Sequence, residues 1–355
     1  MLKIDGSYGE GGGQILRTSL SLAVITGQPI FINRIRANRS KPGLAIQHLT
    51  AVRAAAALCQ AQIKGDAVGS MQLEFVPTCK AIAGSYIFDV AQTTGAGSAG
   101  AIMLVLQTIL LPLALAKGDS VVTLKGGTHV PWSPPATYIE LVYLPILRQM
   151  GIQAQMQVKA WGWYPQGNGE VELVILGQST PLKSLHLLEQ GNLQVVKGLA
   201  VATQLPSHIP QRMASRAENL LREATIKTDI QPGKMRGIAP GAGITLVAEY
   251  EHSLAGFSAL GKLGLAAEKV AEIAVEELLA FHSTSAPVEE HLADQLLLPA
   301  ALAKEASEYR VAEVSTHLTT NAWVIEQFGI AQIAIAPDTK IVTISPSGIS
   351  KVLCN

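Results

Sequence analysis

The sequence predicts an α+β fold in which a helix–strand unit recurs and a smaller α/β domain is inserted. Two distant stretches, 110-LLPLALAK-117 and 297-LLPAALAK-304, differ only at Leu113 versus Ala300. Each follows a glutamine, Gln107 or Gln295, and each leads into a β-rich stretch, 119-DSVVTLKGG-127 or 309-YRVAEVS-315. Both stretches then give way to Thr-His, at Thr128-His129 and Thr316-His317. Helix, strand and turn repeating together point to duplication rather than to an Ala/Leu-rich composition. A fainter copy opens the chain, with 14-QILRTSLSLAVITG-27 as helix and 29-PIFINRIR-36 as strand. Helices alternating with strands imply sheets covered by helices on one face.

The elements follow in order. The turn after the first strand, Ala37 to Gly43, is basic, so the equivalent strand ends carry Arg36 and Arg39, His129, and His317. The stretch 99-AGAIMLVLQTILLPLALA-116 is long enough to span a membrane. Gln107 in its middle and Pro112 near its end make it a buried helix instead, and no membrane association is expected. From Leu185 to Ser285 the rhythm breaks. There 231-QPGKMRGIAPGAG-243 reads as turns, 244-ITLVAEYE-251 as a strand, and 265-LAAEKVAEIAVEELLAF-281 as a helix with its glutamates outside. The repeat resumes at Gln295, so the expected organisation is a repeat domain of residues 1–184 plus 286–355 and an inserted α/β domain of 185–285. A length of 355 residues agrees with two cores rather than one.

Hydrophobic residues make up 48% and charged residues 15%, which excludes a disordered or coiled-coil chain. Net charge is zero, which argues against sequence-blind coating of nucleic acid. The charge is nevertheless uneven: residues 1–64 hold eight basic side chains against Asp5 and Glu10. A local patch for a few phosphates is consistent with that. Cys59, Cys79 and Cys354 have no metal-ligand spacing, and an odd count does not suit a disulfide framework. The N-terminus has no apolar signal core, so a cytoplasmic location is expected.

Four stretches could carry chemistry. In 9-GEGGGQILR-17 a glycine turn opens an apolar helix, an arrangement that aims backbone N–H groups at an anion. Glu10 would repel a bare phosphate, and a Mg²⁺ or Mn²⁺ between them would resolve the conflict; a solvated or helix-capping Glu10 is the alternative. Arg36 and Arg39 frame a Lys-Pro-Gly turn followed by Gln47, and two guanidinium groups at one turn suit a polyphosphate or an RNA end. In 291-HLADQLLLP-299, His291, Asp294 and Gln295 share one helical face, either as a pocket wall or with Asp294 capping the helix. Finally, His317 stands among Ser315, Thr316, Thr319, Thr320 and Asn321, at a polar strand-to-helix turn. Its twin, His129, precedes a Pro-rich loop, and the turn alone does not say which of the two reacts.

Taken together, 5-DGSYGEGGGQILR-17, 36-RANRSKPGLAIQHLTAV-52, 104-LVLQT-108, 126-GGT-128, 163-WYPQGNGEV-171, 292-LADQLLLP-299 and 315-STHLTTN-321 resemble the RNA 3′-terminal phosphate cyclase family. The matches run in family order across nearly the whole chain. The resemblance implies βαβαββ-type units with an inserted smaller domain. It also implies ATP-dependent conversion of an RNA 3′-phosphate to a 2′,3′-cyclic phosphate, through a covalent histidine–AMP and an adenylylated RNA end.

Carried over by position, the resemblance makes His317 the nucleophile. Gln107, His291, Leu292, Ala293, Asp294 and Gln295 match nucleotide-binding positions, and Glu10 matches a carboxylate near the phosphates and a divalent metal. Arg36, Arg39 and Gln47 match polar positions around the phosphates or the RNA end. Implied partners are ATP and RNA 3′-phosphate ends, with a homodimer left open. Two departures stand out: Thr316 where members often have cysteine, and His291 where they have tyrosine. Imidazole offers less stacking area than phenol. Relatives that bind RNA during ribosome assembly without catalysis lose the reacting histidine and phosphate-binding residues, whereas this chain has them. Enolpyruvyl transferases, with a related repeated architecture, need no histidine at this turn.

Overall fold

The computed structural model describes residues 1–91, 99–178 and 180–347. The first unit comprises β1 (Leu2–Asp5), α1 (Gly13–Thr26), β2 (Ile30–Asn33), α2 (Ile46–Cys59), β3 (Gln62–Lys64) and β4 (Leu73–Val76). The second begins with β5 (Ser85–Asp89), α3 (Ile102–Ala114) and β6 (Ser120–Gly126). A continuous helix follows, made of α4 (Ala136–Tyr138), a π-helical turn (Ile139–Tyr143) and α5 (Leu144–Gln149). The unit closes with β7 (Ala154–Ala160) and β8 (Gly169–Ile175).

After β9 (His186–Leu187) the chain runs through β10 (Leu193–Thr203), α6 (His208–Glu223), β11 (Thr228–Lys234), β12 (Gly241–Tyr250), β13 (Leu254–Leu260) and α7 (Ala267–Ser283). It then completes a third unit with α8 (Glu290–Ala301), β14 (Ser307–Arg310), α9 (Thr316–Gln327), β15 (Ala331–Ala336) and β16 (Ile341–Pro346).

One topology recurs in the three units. Their sheets run β1-β2-β4-β3, β5-β6-β8-β7 and β9-β14-β16-β15. The first pair is parallel in every case, β1 with β2, β5 with β6 and β9 with β14. The remaining pairs are antiparallel. Parallel neighbours need a crossover, which α1 and α3 supply in the first two units and the insertion plus α8 in the third. Alternation sets the inner face: Ile30 and Ile32 of β2 lie opposite Phe75 and Leu73 of β4, and all four are fully buried. The duplicated motif sits where its sequence placed it, with Pro112 and Pro299 inside the last turn or so of α3 and α8. This is the α+β fold that the repeats and the resemblance predicted.

Between β9 and α8 the chain forms its own sheet, β11-β10-β12-β13, packed by α6 and α7 around Met213, Leu246, Val270 and Leu278. The run 231–243, expected as turns, is partly strand, since Gln231, Pro232 and Gly233 lie in β11. That strand is a sheet edge, where the N–H that proline lacks is not required by a second neighbour. The strand expected over 309–315 is the shorter β14, because the backbone leaves the sheet at Val311 to enter α9. His186 and Leu187, inside the stretch expected as the insertion, pair with Glu308 and Tyr309 of the third unit. The apolar stretch from 99 to 116 becomes α3, buried along its length except at Gln107. No helix among the described residues is long and apolar enough to cross a membrane.

For the site, the decisive packing is helical. α1 packs on α2, α3 and α9, and α9 packs on α8. The start of the chain is thereby seated against its last helix.

Candidate active site

The glycine turn 9–13 leads from β1 into α1 and lies on α9. Gly9 and Gly11 adopt φ of +53° and +60°, the left-handed region that glycine enters without strain. A Cβ on Gly9 would stand 2.2 Å from Thr320 Oγ1, so the close seating also requires glycine. The Glu10 N–H donates to Thr320 Oγ1 at 3.3 Å, and the Tyr8 ring stacks on Trp323 at 4.0 Å. Deeper in, Thr18 Oγ1 donates to Asn321 Oδ1 and Asn321 Nδ2 donates to the Asp294 carbonyl, both at 2.7 Å. One buried amide therefore joins α1, α8 and α9.

His317 is the second residue of α9. Ser315 caps that helix by accepting from the Leu318 N–H at 3.2 Å, which fixes the turn carrying the imidazole. His317 Nδ1 lies 2.7 Å from Glu10 Oε2, while Glu10 Oε1 forms an ion pair with Arg39. Oε2 is buried without a well-aligned hydrogen bond, so its contact with His317 is electrostatic rather than a directed bond. A carboxylate beside Nδ1 favours the proton on that nitrogen and leaves the lone pair on Nε2. The ring itself is half-exposed. It is a reachable imidazole with Nδ1 facing a carboxylate and, among the described residues, no hydrogen-bond partner on Nε2.

The basic turn folds over the glycine loop. Arg34 pairs with Asp5, and Asn38 Nδ2 donates to the Ser7 carbonyl at 3.1 Å. Arg36 spends one Nη1 hydrogen bond on the Gly43 carbonyl at 2.8 Å. Gln47 Oε1 accepts from the Ala101 N–H at 3.1 Å, linking α2 to the start of α3. Of the candidates outside α8, Glu10 and Arg39 join His317 in one charged cluster. Arg36, Gln47 and Gln107 stand on the neighbouring turn and helices, and Gln107 is half-buried on α3.

On α8 the cap is Glu289 rather than Asp294: its carboxylate accepts from the His291 and Leu292 N–H groups at 2.6 and 2.9 Å. Asp294 is buried, and burial raises its carboxyl to about 6, against the pull of His317, Arg17 and His291. Gln295 is buried too; its Nε2 donates to the His291 carbonyl at 2.8 Å, and its Oε1 has no partner among the described residues. His291 is exposed. Leu292 and Ala293 differ from the rest, because their side chains are wholly inside the core and only their backbone could meet a ligand.

Reading by motif missed Arg17 and His48 as parts of this arrangement; it placed Thr320 and Asn321 around His317 but not their bonds to the glycine turn and to α8. Arg17 donates to Gln14 Oε1 at 2.6 Å, and burial lowers its guanidinium to about 10, opposed by the charge of Asp294. Burial, with Arg17 and Arg36 nearby, pushes His48 down to about 3 and keeps it neutral. Its Nδ1 accepts from the Ala45 N–H at 3.2 Å. A Cβ on Gly13 would lie 2.4 Å from His48 Nε2 and 2.9 Å from an Arg17 Nη, so that glycine lets both approach the start of α1. The spacing of Gly13 to Arg17, one helical turn, was the available signal.

The twin histidine has a different environment. His129 is 2% exposed, stacks on Trp161 at 4.1 Å and bonds Thr128 Oγ1 and Thr137 Oγ1 at 2.7 and 3.2 Å. Burial pushes it down to about 3. Both ring nitrogens are occupied, so it packs and does not present a nucleophile.

The family model for RNA 3'-terminal phosphate cyclase matches residues 8–335. A protein of that name from Nostoc punctiforme is 65% identical over 97% of this chain and 99% of its own length. Its namesake from Methylococcus capsulatus is 53% identical, covering 94% of this chain and 93% of its own. One from Archaeoglobus fulgidus is 40% identical over 92% of this chain and 95% of its own. With His317, Glu10 and Arg39 assembled as above, and with matches of this extent, the chain belongs to the RNA 3'-terminal phosphate cyclase family of enzymes.

Proposed function

We propose that the chain uses ATP to convert an RNA 3′-phosphate into a 2′,3′-cyclic phosphate through a covalent AMP on His317. The observation that carries this reading is the 2.7 Å approach of Glu10 Oε2 to His317 Nδ1, which leaves Nε2 as the nucleophilic nitrogen. Nε2 attacks the α-phosphorus of ATP, an N–P bond forms, and the bond to the pyrophosphate oxygen breaks. An oxygen of the RNA 3′-phosphate then displaces the imidazole, giving an RNA end joined to AMP through a phosphoanhydride. The neighbouring 2′-hydroxyl attacks the terminal RNA phosphorus and gives up its proton, and AMP leaves.

Each displacement demands alignment and charge neutralisation more than covalent chemistry. Arg36 and Arg39 have the planar donors that suit phosphate oxygens, and Gln47 follows them in the first turn of α2. The α8 run of His291, Leu292, Ala293, Asp294 and Gln295, with Gln107 on α3, is assigned to the adenylate. In that assignment Asp294 and Gln295 are the polar groups, with the buried Gln295 Oε1 lacking a partner. Leu292 and Ala293 contribute through the helix backbone, and exposed His291 covers the nucleotide.

A Mg²⁺ or Mn²⁺ fits here as a shared ion. Among the described residues no group of three or more His, Cys, Asp or Glu side chains forms a protein-only cage. Glu10 Oε2, a buried acceptor without an aligned hydrogen bond, is the group that would hold such an ion. Bound there, the ion would supply charge neutralisation on the phosphates.

The test is incubation with α-labelled ATP and each metal in turn. Acid-labile label on the protein is expected. Absence of label under every metal condition would reject the reading in favour of an RNA-binding relative without catalysis.

A further inference from the structure

Far along the chain from His317, four segments meet on one buried aromatic cluster. Trp161, Trp163 and Val201 form its centre, with Met235 and Leu260 packed against it. His129 stacks on Trp161, and the Trp161 N–H donates to the Arg236 carbonyl at 2.8 Å. Each of these segments exposes one large apolar side chain within a few residues of its anchor. Trp132 is 98% exposed, Leu263 fully, Ile238 71% and Tyr164 70%. Among the described residues only Ile87 is comparably bare. These four side chains stand on segments that share one anchor, whereas exposed apolar residues scattered over a surface need no explanation.

The charge of the patch is one-sided. The segments 126–136, 159–168, 233–243 and 257–266 contain Lys159, Lys234, Arg236 and Lys262, and no Asp or Glu. Lys159 pairs with Glu172, whereas among the described residues Lys234, Arg236 and Lys262 have no carboxylate partner. A chain of zero net charge therefore carries a local surface with bare rings and three unpaired cations.

We infer that this surface, outside the His317 site, docks the single-stranded body of the RNA. It combines π-faces on which bases of any sequence stack with cations that match the phosphates between them. The occupant is named from the RNA-processing reading above, but the patch and its charge stand apart from that site.

The test is affinity for a fluorescent single-stranded RNA of roughly twelve nucleotides, across a salt series and without ATP. Trp132→Ala combined with Tyr164→Ala should weaken binding about tenfold or more for each ring that stacks a base. Lys234→Ala combined with Arg236→Ala should reduce the slope of log affinity against log salt by about 1.4. All four side chains are exposed, and an unchanged melting temperature serves as the control for folding. Wild-type affinity and salt slope in both variants would overturn the inference. It would also be overturned if the aromatic variant kept its RNA affinity but lost self-association, or lost binding to anionic phosphatidylserine vesicles. Because affinity is read without ATP, the outcome decides this surface whether or not His317 takes the label.

Discussion

Glu10 Oε2 lies 2.7 Å from His317 Nδ1, joining the glycine turn before α1 to the start of α9. The expected consequence is that Glu10 orients the imidazole as well as serving the phosphates. Glu10→Gln should slow His317 labelling by roughly 10–100-fold, since a neutral amide holds the Nδ1 proton less well. If the metal titration of that variant matched wild type, a bridging ion at Glu10 would be wrong. If labelling were unchanged, the orienting role would be wrong.

The two Thr-His turns should separate cleanly. His317→Ala is expected to abolish labelling with little effect on thermal stability, because the ring is half-exposed. His129→Ala should keep the label and lose about 1–3 kcal/mol, since it removes buried hydrogen bonds and a stack on Trp161. Labelling and melting of both variants check this; loss of label only at His129 would reverse the assignment.

His129 also gives a pH signature. Its folded value of about 3 is below the ordinary 6.5, so the unfolded chain takes up the proton first as pH falls. Its neutral form therefore contributes stability that is full above about 6.5 and is lost as pH drops toward 3. Melting from pH 7 to pH 4 should show a shallower decline in His129→Gln than in wild type.

Asp294 should behave in the opposite sense. Burial raises its carboxyl from 3.8 to about 6, so between those values the folded state holds a proton that the unfolded state has released. Wild type should lose stability relative to Asp294→Asn as pH rises through that window, by an amount on the order of 3 kcal/mol, and the gap should then level off. A gap that stays constant from pH 3.5 to 7 would remove the argument for a strained buried charge.

Gly9→Ala tests the seating of the loop. At φ +53° and with a Cβ 2.2 Å from Thr320 Oγ1, alanine must push the glycine turn off α9. Labelling should fall at least tenfold, whereas Gly27→Ala, with open space around it, should cost about 1 kcal/mol and retain labelling. Equal labelling in the two variants would separate the loop from the chemistry.

Sequence by itself determined the repeated architecture, because a helix–strand unit writes its period into the chain. The copies at Pro112 and Pro299, and the strands that follow them, needed no coordinates. It also marked Glu10 and Arg39 through motifs whose residue types are tied to phosphate chemistry, and His317 through the resemblance of its turn to the family's. Tertiary structure alone decided which residues meet. Glu10 and His317 lie at opposite ends of the chain, and only the packing of α1 on α9 brings a carboxylate to one particular imidazole nitrogen. The resemblance had already chosen His317 over His129; the structure supplies the physical reason, since Trp161 and two threonine hydroxyls bury His129 while His317 stays half-exposed. Tertiary structure corrected 231–243 as well, where proline and glycine read as turns yet fit an edge strand. Local pattern records what a segment can form. Burial, tautomer and contact depend on neighbours distant in sequence, and those exist only once the chain has folded.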